Sequence, residues 1–254
     1  MSHRKDTSWQ RVAKPYGNWV QREDSLQQEL VYPGALRLLS PKKGQKYLDV
    51  ACGEGSFTQL IAKAGAEVVG VDLSAKLVEM AKKRHVDRAT FRVGNAKECA
   101  RYFEQNAFAG ATCILALQNI DDIFPVFADV ARVIQGGGVF ICVLNHPMFR
   151  TPRMTSWGFD EGKKMQYRRI DGYFTAHEIP IVANPSKGQG SAVTYSYHRP
   201  FAQYVAAAKA AGLVLVDAEE WVSPRSSDSG PRAKAENRSR TEIPLFMALV
   251  FRKM

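Results

Sequence analysis

Short apolar runs alternate with helix-like segments from residue 46 to residue 144. The apolar runs are rich in Val, Ile and Leu and have no polar face, which is typical of parallel strands buried on both sides. They are KYLDVA, EVVGVD, ATFRV, GATCILAL and GVFICVL. Helices are predicted between them at 56–65, 75–84, 97–104 and 121–134, and QGGG at 135–138 predicts a helix stop and a turn into the fifth strand. Repeats of this kind with short loops predict an α/β fold with a doubly wound sheet.

The alternation ends after Leu144. Residues 145–199 mix aromatic residues with cations, and two alternating runs at 177–183 and 191–198 flank the turn-rich NPSKGQG. That pattern predicts a β-hairpin. Beyond it, FAQYVAAAKAAG predicts a helix, LVLVDAEE and IPLFMALVFRK predict a sixth and a seventh strand, and SPRSSDSGPRAKAENRSR between these strands predicts a polar, basic loop.

The first predicted strand runs into a glycine turn, YLDVACGEGSF. A strand, a tight turn and a helix start are the usual layout of a nucleotide site. A dinucleotide turn has a third glycine where this chain has Thr58, and the G-K-[ST] of a P-loop is missing. The carboxylates of Asp49 and Glu54 would repel a pyrophosphate, so the turn favours a cationic ligand.

Asp72 ends the second predicted strand, 19 residues after Gly53. A carboxylate at that spacing can accept hydrogen bonds from both hydroxyls of a ribose. A turn that disfavours phosphate and an acid that suits ribose together indicate a positively charged nucleoside. S-adenosylmethionine, with its sulfonium and ammonium groups, fits this description.

The glycine turn is followed by three further motifs in order, VVGVDLSAKLVEMAK, FRVGNAKE and FAGATCILALQNIDD. With them the chain resembles the class I S-adenosylmethionine-dependent methyltransferases, in particular the small bacterial single-domain enzymes of the methyltransferase type 11 kind. The resemblance covers 46–144, and 213–252 matches the closing hairpin of that family. It implies a Rossmann-like methyltransferase fold, α/β, with a doubly wound, seven-stranded, mostly parallel sheet.

The resemblance also implies a division of the chain. We expect an N-terminal helical lid at 1–45, a core formed by 46–144 and 200–254, and an aromatic and basic substrate cap inserted after strand five at 145–199. In SWQRVAKPYGNWV the lid would place Tyr16 against the cofactor.

The resemblance further implies which residues hold the cofactor. Asp49 would lie near the methionine amino group, Asp72 would hold the ribose, and Asn95 would bind the adenine edge. The family usually has Asp at position 95; an amide oxygen can still accept a hydrogen bond, and a simple turn residue is the alternative. The expected cofactor-binding residues are Tyr16, Asp49, Ala51, Gly53, Gly55, Asp72, Leu73, Asn95, Ala96 and Leu115.

The residues of the acceptor side are expected in the segments after strands four and five. Methyl transfer depends largely on positioning, and it needs a base only if the acceptor must lose a proton. His146 and His198 are the candidate bases, each with a structural role as the alternative, and Gln118 is a candidate orienting group. The candidate substrate-binding residues are Asn119, Trp157, Tyr167, Arg168, Arg169 and Tyr197, although an aromatic cluster can equally be the core of the cap.

Charge and cysteines narrow the class of protein. The 254 residues carry a formal net charge of +10, yet 46–145 hold eleven Lys/Arg and eleven Asp/Glu, so the surplus lies in the flanking segments. This indicates an anionic partner or a solvated basic face. Four cysteines without a C-x-x-C pair favour reduced thiols, a cytoplasmic location and no metal site. The sequence has no apolar run of 18 residues, so no membrane span is predicted, and its first residues do not have the apolar segment expected of a secretory signal.

Three functions remain open. The favoured one is methyl transfer to a small, anionic or aromatic metabolite enclosed by the cap. The alternative is an RNA methyltransferase, for tRNA or rRNA, in which the basic cap and loops follow a phosphate backbone. The third is a cofactor-binding protein that methylates nothing. The oligomeric state, monomer or homodimer, is open.

Overall fold

The computed structural model describes residues 25–182 and 193–254. Tyr16, the rest of SWQRVAKPYGNWV and the turn NPSKGQG lie outside the described residues.

Eleven strands occur in the described ranges: β1 Lys46–Val50, β2 Glu67–Asp72, β3 Ala89–Val93, β4 Phe108–Ile114, β5 Ile134–Asn145, β6 Thr155–Asp160, β7 Met165–Ile170, β8 His177–Val182, β9 Val193–His198, β10 Leu213–Trp221 and β11 Phe246–Lys253. Seven of them form one sheet in the order β10-β11-β5-β4-β1-β2-β3. The pairs among β1 to β5 are parallel, and β11 runs antiparallel to both of its neighbours. The predicted doubly wound, seven-stranded, mostly parallel sheet is confirmed.

Six α-helices accompany these strands in the described ranges: α1 Tyr32–Leu39, α2 Ser56–Lys63, α3 Ala75–Lys82, α4 Phe124–Val133, α5 Phe201–Ala210 and α6 Ala233–Glu242. A π-helical turn, Gln27–Val31, precedes α1, and short 3₁₀ turns span Ala96–Arg101 and Leu117–Asn119. None of the helices in these ranges is long and apolar enough to cross a membrane.

The apolar core lies on both faces of the sheet. Successive strand residues point to opposite faces, and the neighbours Phe140 and Ile141 on β5 are fully buried in two different clusters. On one face the ring of Phe127 from α4 meets the rings of Phe140 and Phe251 edge-on, with centroids 5.3 Å apart in both pairs. A two-sided core explains why the strands of 46–144 have no polar face.

Three elements differ from the sequence-based expectation. QGGG belongs to β5, where Gly137 has φ +77° and the pairing with β4 shifts register, so an irregular strand replaces the predicted turn. The predicted helix 97–104 is a shorter 3₁₀ turn, with a non-helical residue at Glu98. The predicted loop between the last two strands contains α6, which lies against β7, where Ser239 Oγ is 3.3 Å from Gln166 Oε1.

The cap segment forms two separate antiparallel hairpins, β6–β7 and β8–β9. The strands of the second match the predicted runs, whereas the first was not predicted. Both hairpins come after β5 along the chain, so the cap begins at the carboxyl end of the parallel strands.

Candidate cofactor and acceptor site

The glycine turn leaves the carboxyl end of β1 and enters α2 through three residues of positive φ: Ala51 at +54°, Gly53 at +58° and Gly55 at +82°. A methyl group at Gly55 would lie 2.8 Å from the ring of Phe91, so this side of the turn packs against the body of the protein. A methyl group at Gly53 would meet no atom within 4 Å. The open side at Gly53 is where a ligand can approach the backbone closely.

Asp72 connects the end of β2 to this turn. Its Oδ2 accepts a hydrogen bond from the Gly53 amide at 2.9 Å, and its Oδ1 accepts one from the Ser74 amide at 2.8 Å. Burial raises the pKa of the carboxyl group, and the two amides oppose that effect. Each oxygen retains a lone pair for a further donor. Beside it, Leu73 is 49% exposed, which is high for a large apolar side chain.

Asp49 is buried beneath the turn. Its Oδ2 accepts from the Thr58 hydroxyl at 2.6 Å, and its Oδ1 accepts from the Thr112 hydroxyl at 2.9 Å. Burial raises the pKa of Asp49 to about 6, although both hydroxyls lower it. Thr58 occupies the position of the third glycine in a dinucleotide turn, so its hydroxyl supplies a function that the sequence pattern did not reveal.

The position of Glu54 in the glycine turn suggests a free carboxylate that faces the ligand, but its side chain is paired within the protein. Its buried carboxylate accepts a hydrogen bond from the Ser56 hydroxyl and lies 3.4 Å from the Arg84 guanidinium. Because Arg84 offsets its charge, Glu54 is not a free acid of the turn. The negative groups that remain at the site are Asp49 and Asp72.

Asn95 is the second residue after β3, and the Gly94 amide between them donates to the Asp72 carbonyl at 2.9 Å, which brings this segment beside Asp72. The side-chain oxygen of Asn95 accepts from the Lys97 amide at 3.0 Å and caps the next 3₁₀ turn. This is the turn role that was the alternative, and the oxygen still has one lone pair. Ala96 next to it is buried.

The turn after β4 holds the side-chain amides of Gln118 and Asn119. Leu115 has φ +54°, and its carbonyl accepts from Gln118 Nε2 at 2.7 Å and from Asn119 Nδ2 at 3.4 Å. Gln118 Oε1 is buried and has no hydrogen-bond partner within the described part of the chain. Buried polar atoms are normally satisfied, so this oxygen indicates a place where a donor of a ligand can bind.

Arg199 holds the segment after β4 in place, and no sequence pattern pointed to it. The side chain is buried, and its Nη2 donates to the carbonyls of Ile120 and Asp121 at 2.5 Å each. Its Nη1 lies 3.4 Å from the Leu117 carbonyl. Arg199 therefore connects the end of the cap to the segment that carries Gln118 and Asn119.

His146 is buried, with both ring nitrogens engaged. Its Nε2 lies 2.6 Å from Glu220 Oε1, and its Nδ1 accepts from the backbone amides of Met148 and Phe149 at 3.2 and 3.3 Å. Since Nδ1 is an acceptor, Nε2 carries the proton. Burial lowers the pKa of His146 more than Glu220 raises it. These contacts favour the structural role, in which His146 caps the turn after β5.

His198 at the end of β9 is also held on both sides. Its Nε2 donates to the Tyr173 carbonyl at 2.8 Å, and its Nδ1 lies 3.1 Å from Thr151 Oγ1. Burial lowers the pKa of this ring as well. A role as base stays a prediction for both histidines.

The predicted pair of cap arginines is separated by the alternation of β7. Arg168 stacks over Trp157, with its guanidinium carbon 4.9 Å from the ring centroid, and donates through Nε to the Phe149 carbonyl at 2.9 Å. Arg169 is 68% exposed and pairs with Asp171 at 3.0 Å. The structure therefore brings Arg168 to the turn after β5, and it does not bring Arg169 there.

The predicted aromatic residues of the cap stay partly accessible. Trp157 and Tyr167 are 43% and 46% exposed, so neither forms a closed cap core. Tyr197 on β9 is half-buried, with the Arg199 guanidinium 5.6 Å from its ring centroid.

The residues at the carboxyl ends of β1 and β2 fit a cationic nucleoside. Gly53 leaves room at the turn, the Asp72 oxygens have lone pairs for ribose hydroxyls, and Leu73 offers an exposed apolar face for a base. The buried carboxyl of Asp49 adds negative charge beneath the turn. The pattern matches the demands of S-adenosylmethionine.

Comparison with known proteins identifies a methyltransferase domain in the part of the chain that contains the glycine turn. Residues 48–142 match the family described as a methyltransferase domain, of the type 11 kind. Demethylmenaquinone methyltransferase of Bacillus cereus is 31% identical over 142 residues, which are 53% of this chain and 56% of that protein. The chain thus aligns with about half the length of this curated relative.

Two solved structures share the fold over most of the chain. An S-adenosylmethionine-dependent methyltransferase from Mesorhizobium loti has a TM-score of 0.69 at 22% identity, covering 91% of this chain and 99% of that one. A second, from Listeria monocytogenes, has a TM-score of 0.67 at 22% identity and covers 88% and 98%. Residues 48–142 therefore match a methyltransferase domain of the type 11 kind, and the two solved structures show that its fold extends over most of the chain.

Proposed function

We propose that this protein transfers the methyl group of S-adenosylmethionine to a small-molecule acceptor. The observation that carries the proposal is the link between Asp72 and Gly53, which joins a ribose-binding acid to a turn whose outer side is open. In an open α/β sheet, ligands bind beyond the carboxyl ends of the parallel strands. The described residues that surround this link lie at those strand ends.

The chain's own groups would bind and orient the cofactor. Asp72 would accept from the ribose hydroxyls, Leu73 would pack on the adenine, and Asn95 and Ala96 would meet its edge. Asp49 would favour the positively charged methionine end. When bound, S-adenosylmethionine supplies an electrophilic methyl group attached to a sulfonium.

The acceptor would be placed between the segment after β4 and the cap. Its attacking atom must align with the bond between methyl and sulfur, and positioning of this kind can supply a large part of the rate. Gln118 Oε1 is available to accept a hydrogen bond from such a molecule. A base would be required only for an acceptor that loses a proton.

A small acceptor is supported by two observations. The cap consists of short hairpins with partly exposed aromatic rings, which suits enclosure of a small ligand with apolar surface. The name of the Bacillus cereus relative specifies demethylmenaquinone, a small molecule, as the acceptor of that protein.

The test uses S-adenosylmethionine labelled on its methyl group. The purified protein is incubated with the labelled cofactor and a bacterial lysate, which is then separated into RNA, protein and small molecules. We expect the label in the small-molecule fraction. The matched control is Asp72→Ala, which should reduce labelling under the same conditions when the cofactor is not saturating.

Label in another fraction, or in none, would contradict the proposal and favour one of the two other functions. Label in RNA would establish the alternative prediction and assign the basic segments to a phosphate backbone. Absence of label from every fraction, with cofactor binding intact, would favour a cofactor-binding protein without transferase activity.

A further inference from the structure

We propose that Arg150, supported by Arg168, binds an oxyanion of the methyl acceptor, so that the acceptor carries a carboxylate or a phosphate. This inference rests on the proposed function and names the substrate class of the same site. Arg150 was not among the candidates predicted from the sequence.

Arg150 is held in a fixed position on the turn after β5. Its backbone amide donates to the His146 carbonyl at 2.8 Å, and its guanidinium carbon lies 4.7 Å from the centroid of the Phe246 ring. Its Nη1 is buried and has no hydrogen-bond partner within the described residues. Burying a guanidinium nitrogen without an acceptor costs free energy. An acceptor atom of a ligand at this point would remove that cost.

Arg168 is the charged neighbour of Arg150. Its Nε bonds to the carbonyl of Phe149, the residue before Arg150, and its Nη2 donates to Thr155 Oγ1 at 2.6 Å. Burial lowers the pKa of Arg150, and the charge of Arg168 lowers it further. Among the described residues neither guanidinium takes part in an ion pair.

Two neighbouring cations without a carboxylate favour an anionic ligand. A buried charge is normally paired, because desolvation without a partner is expensive. The planar fork of arginine matches the geometry of a carboxylate or a phosphate and can bind either through two parallel hydrogen bonds.

The position of Arg150 suits the acceptor and not the cofactor. Phe246 begins β11 and lies opposite Asn145, the last residue of β5, so Arg150 is at the carboxyl edge of β5. The ribose acid Asp72 ends β2, and in the sheet order β4 and β1 lie between β5 and β2. The cationic pair therefore flanks the cofactor turn on the β5 side, where the cap begins.

Arg232 provides a matched control. Its guanidinium carbon also stacks on a phenylalanine ring, 4.3 Å from the centroid of Phe159, but its charge is paired with Glu161 at 2.6 Å. Arg150 and Arg232 thus share the stacking and differ in whether the charge is neutralised.

The experiment measures the melting temperature of the protein loaded with S-adenosylhomocysteine. Inorganic phosphate and benzoate are the probes, and each is compared with chloride at equal ionic strength. We expect at least one probe to raise the melting temperature of the unchanged protein and of Arg232→Gln. We expect Arg150→Gln and Arg168→Gln to lose most of that rise. A response to phosphate alone identifies a phosphate ligand, and a response to benzoate alone identifies a carboxylate.

Two results would overturn the inference: no rise with either probe in the unchanged protein, or an equal rise in Arg150→Gln. If Arg150→Gln does not fold, Arg150→Lys and Arg168→Gln decide, because the Lys variant keeps a charge but loses the fork and should show a reduced rise. Affinity for S-adenosylhomocysteine is measured in parallel. Lack of that affinity in the unchanged protein would contradict the proposed function, whereas lack of the anion response alone contradicts only this inference.

Discussion

At the scale of single residues, Asp49 places a buried carboxyl group beneath the glycine turn. Hydroxyls of Thr58 and Thr112 bind its two oxygens, and burial holds its pKa at about 6. A cationic ligand favours the ionised form, so binding and proton release are coupled.

We expect affinity for S-adenosylmethionine to fall as pH is lowered from about 7 to about 5, since Asp49 becomes protonated through its pKa of about 6. Titration calorimetry across this range measures the effect. Asp49→Asn should bind more weakly at neutral pH and show a flatter profile. An unchanged profile in that variant would assign the pH dependence to another group.

The same shift has a consequence for the unliganded protein. A carboxyl whose pKa is raised in the folded state stabilises the fold below its unfolded pKa, and that contribution is lost as pH rises through the folded value. Because of Asp49, we therefore expect the free energy of unfolding to fall as pH rises from about 4 to about 6. Denaturant unfolding of the protein and of Asp49→Asn, compared over this window, checks the sign.

Asp72 is the residue on which the cofactor assignment depends. Asp72→Ala should weaken binding of S-adenosylhomocysteine by about 1–3 kcal/mol, because the ribose loses its acceptor and the Gly53 and Ser74 amides lose theirs. Calorimetry measures the loss, and circular dichroism confirms folding. Unchanged affinity in a folded variant would remove the cofactor from this turn.

At the scale of elements, the turn between β1 and α2 has two glycines with different surroundings. Both have positive φ, so a side chain at either adds strain of about 1 kcal/mol. A methyl group at Gly55 would meet Phe91 and Ala81, whereas at Gly53 it would point into open space.

We expect Gly53→Ala to reduce cofactor affinity with a small loss of stability, because its methyl group occupies the ligand side of the turn. Gly55→Ala should lower the melting temperature much more, since its methyl group lies 2.8 Å from ring carbons of Phe91. Melting curves and calorimetry on both variants separate the effects. Equal stability losses would mean that the packing on the two sides of the turn does not differ.

The segment after β4 depends on Arg199. Arg199→Lys should lose several of the bonds to the carbonyls of Leu117, Ile120 and Asp121, because an ammonium group lacks the arginine fork. We expect faster amide hydrogen exchange in 117–121, with β1 and β2 unchanged. Faster exchange throughout the sheet would instead indicate a general loss of stability.

At the scale of the whole molecule, the excess of positive charge lies outside the neutral segment 46–145. Methyl transfer to a small enclosed acceptor should change less than about tenfold between 50 and 200 mM salt, whereas binding that neutralises 6–10 nucleic-acid phosphates would lose about 10³–10⁵ in affinity. Titration with a tRNA mixture at both salt concentrations measures this difference. A steep loss, together with label in RNA, would favour the RNA alternative.

Much of the sheet and of the cofactor turn was predictable from the sequence because both depend on local patterns. Strands buried on both faces require uninterrupted apolar runs, and the turn requires glycine where φ is positive, as at Gly53 and Gly55. The order of motifs along the chain then placed Asp72 beside that turn. These features depend on residues close together in sequence.

Tertiary structure decided the roles of the remaining polar groups, because their partners are far apart in sequence. Asp49 meets Thr112 across 63 residues, and Arg199 meets Leu117 across 82. Arg168 and Arg169 look equivalent in sequence until the register of β7 directs one to the turn after β5 and the other to solvent. Within the described residues Arg150 Nη1 is buried without a hydrogen-bond partner, which the sequence could not reveal, since burial and hydrogen bonding are properties of the packed chain.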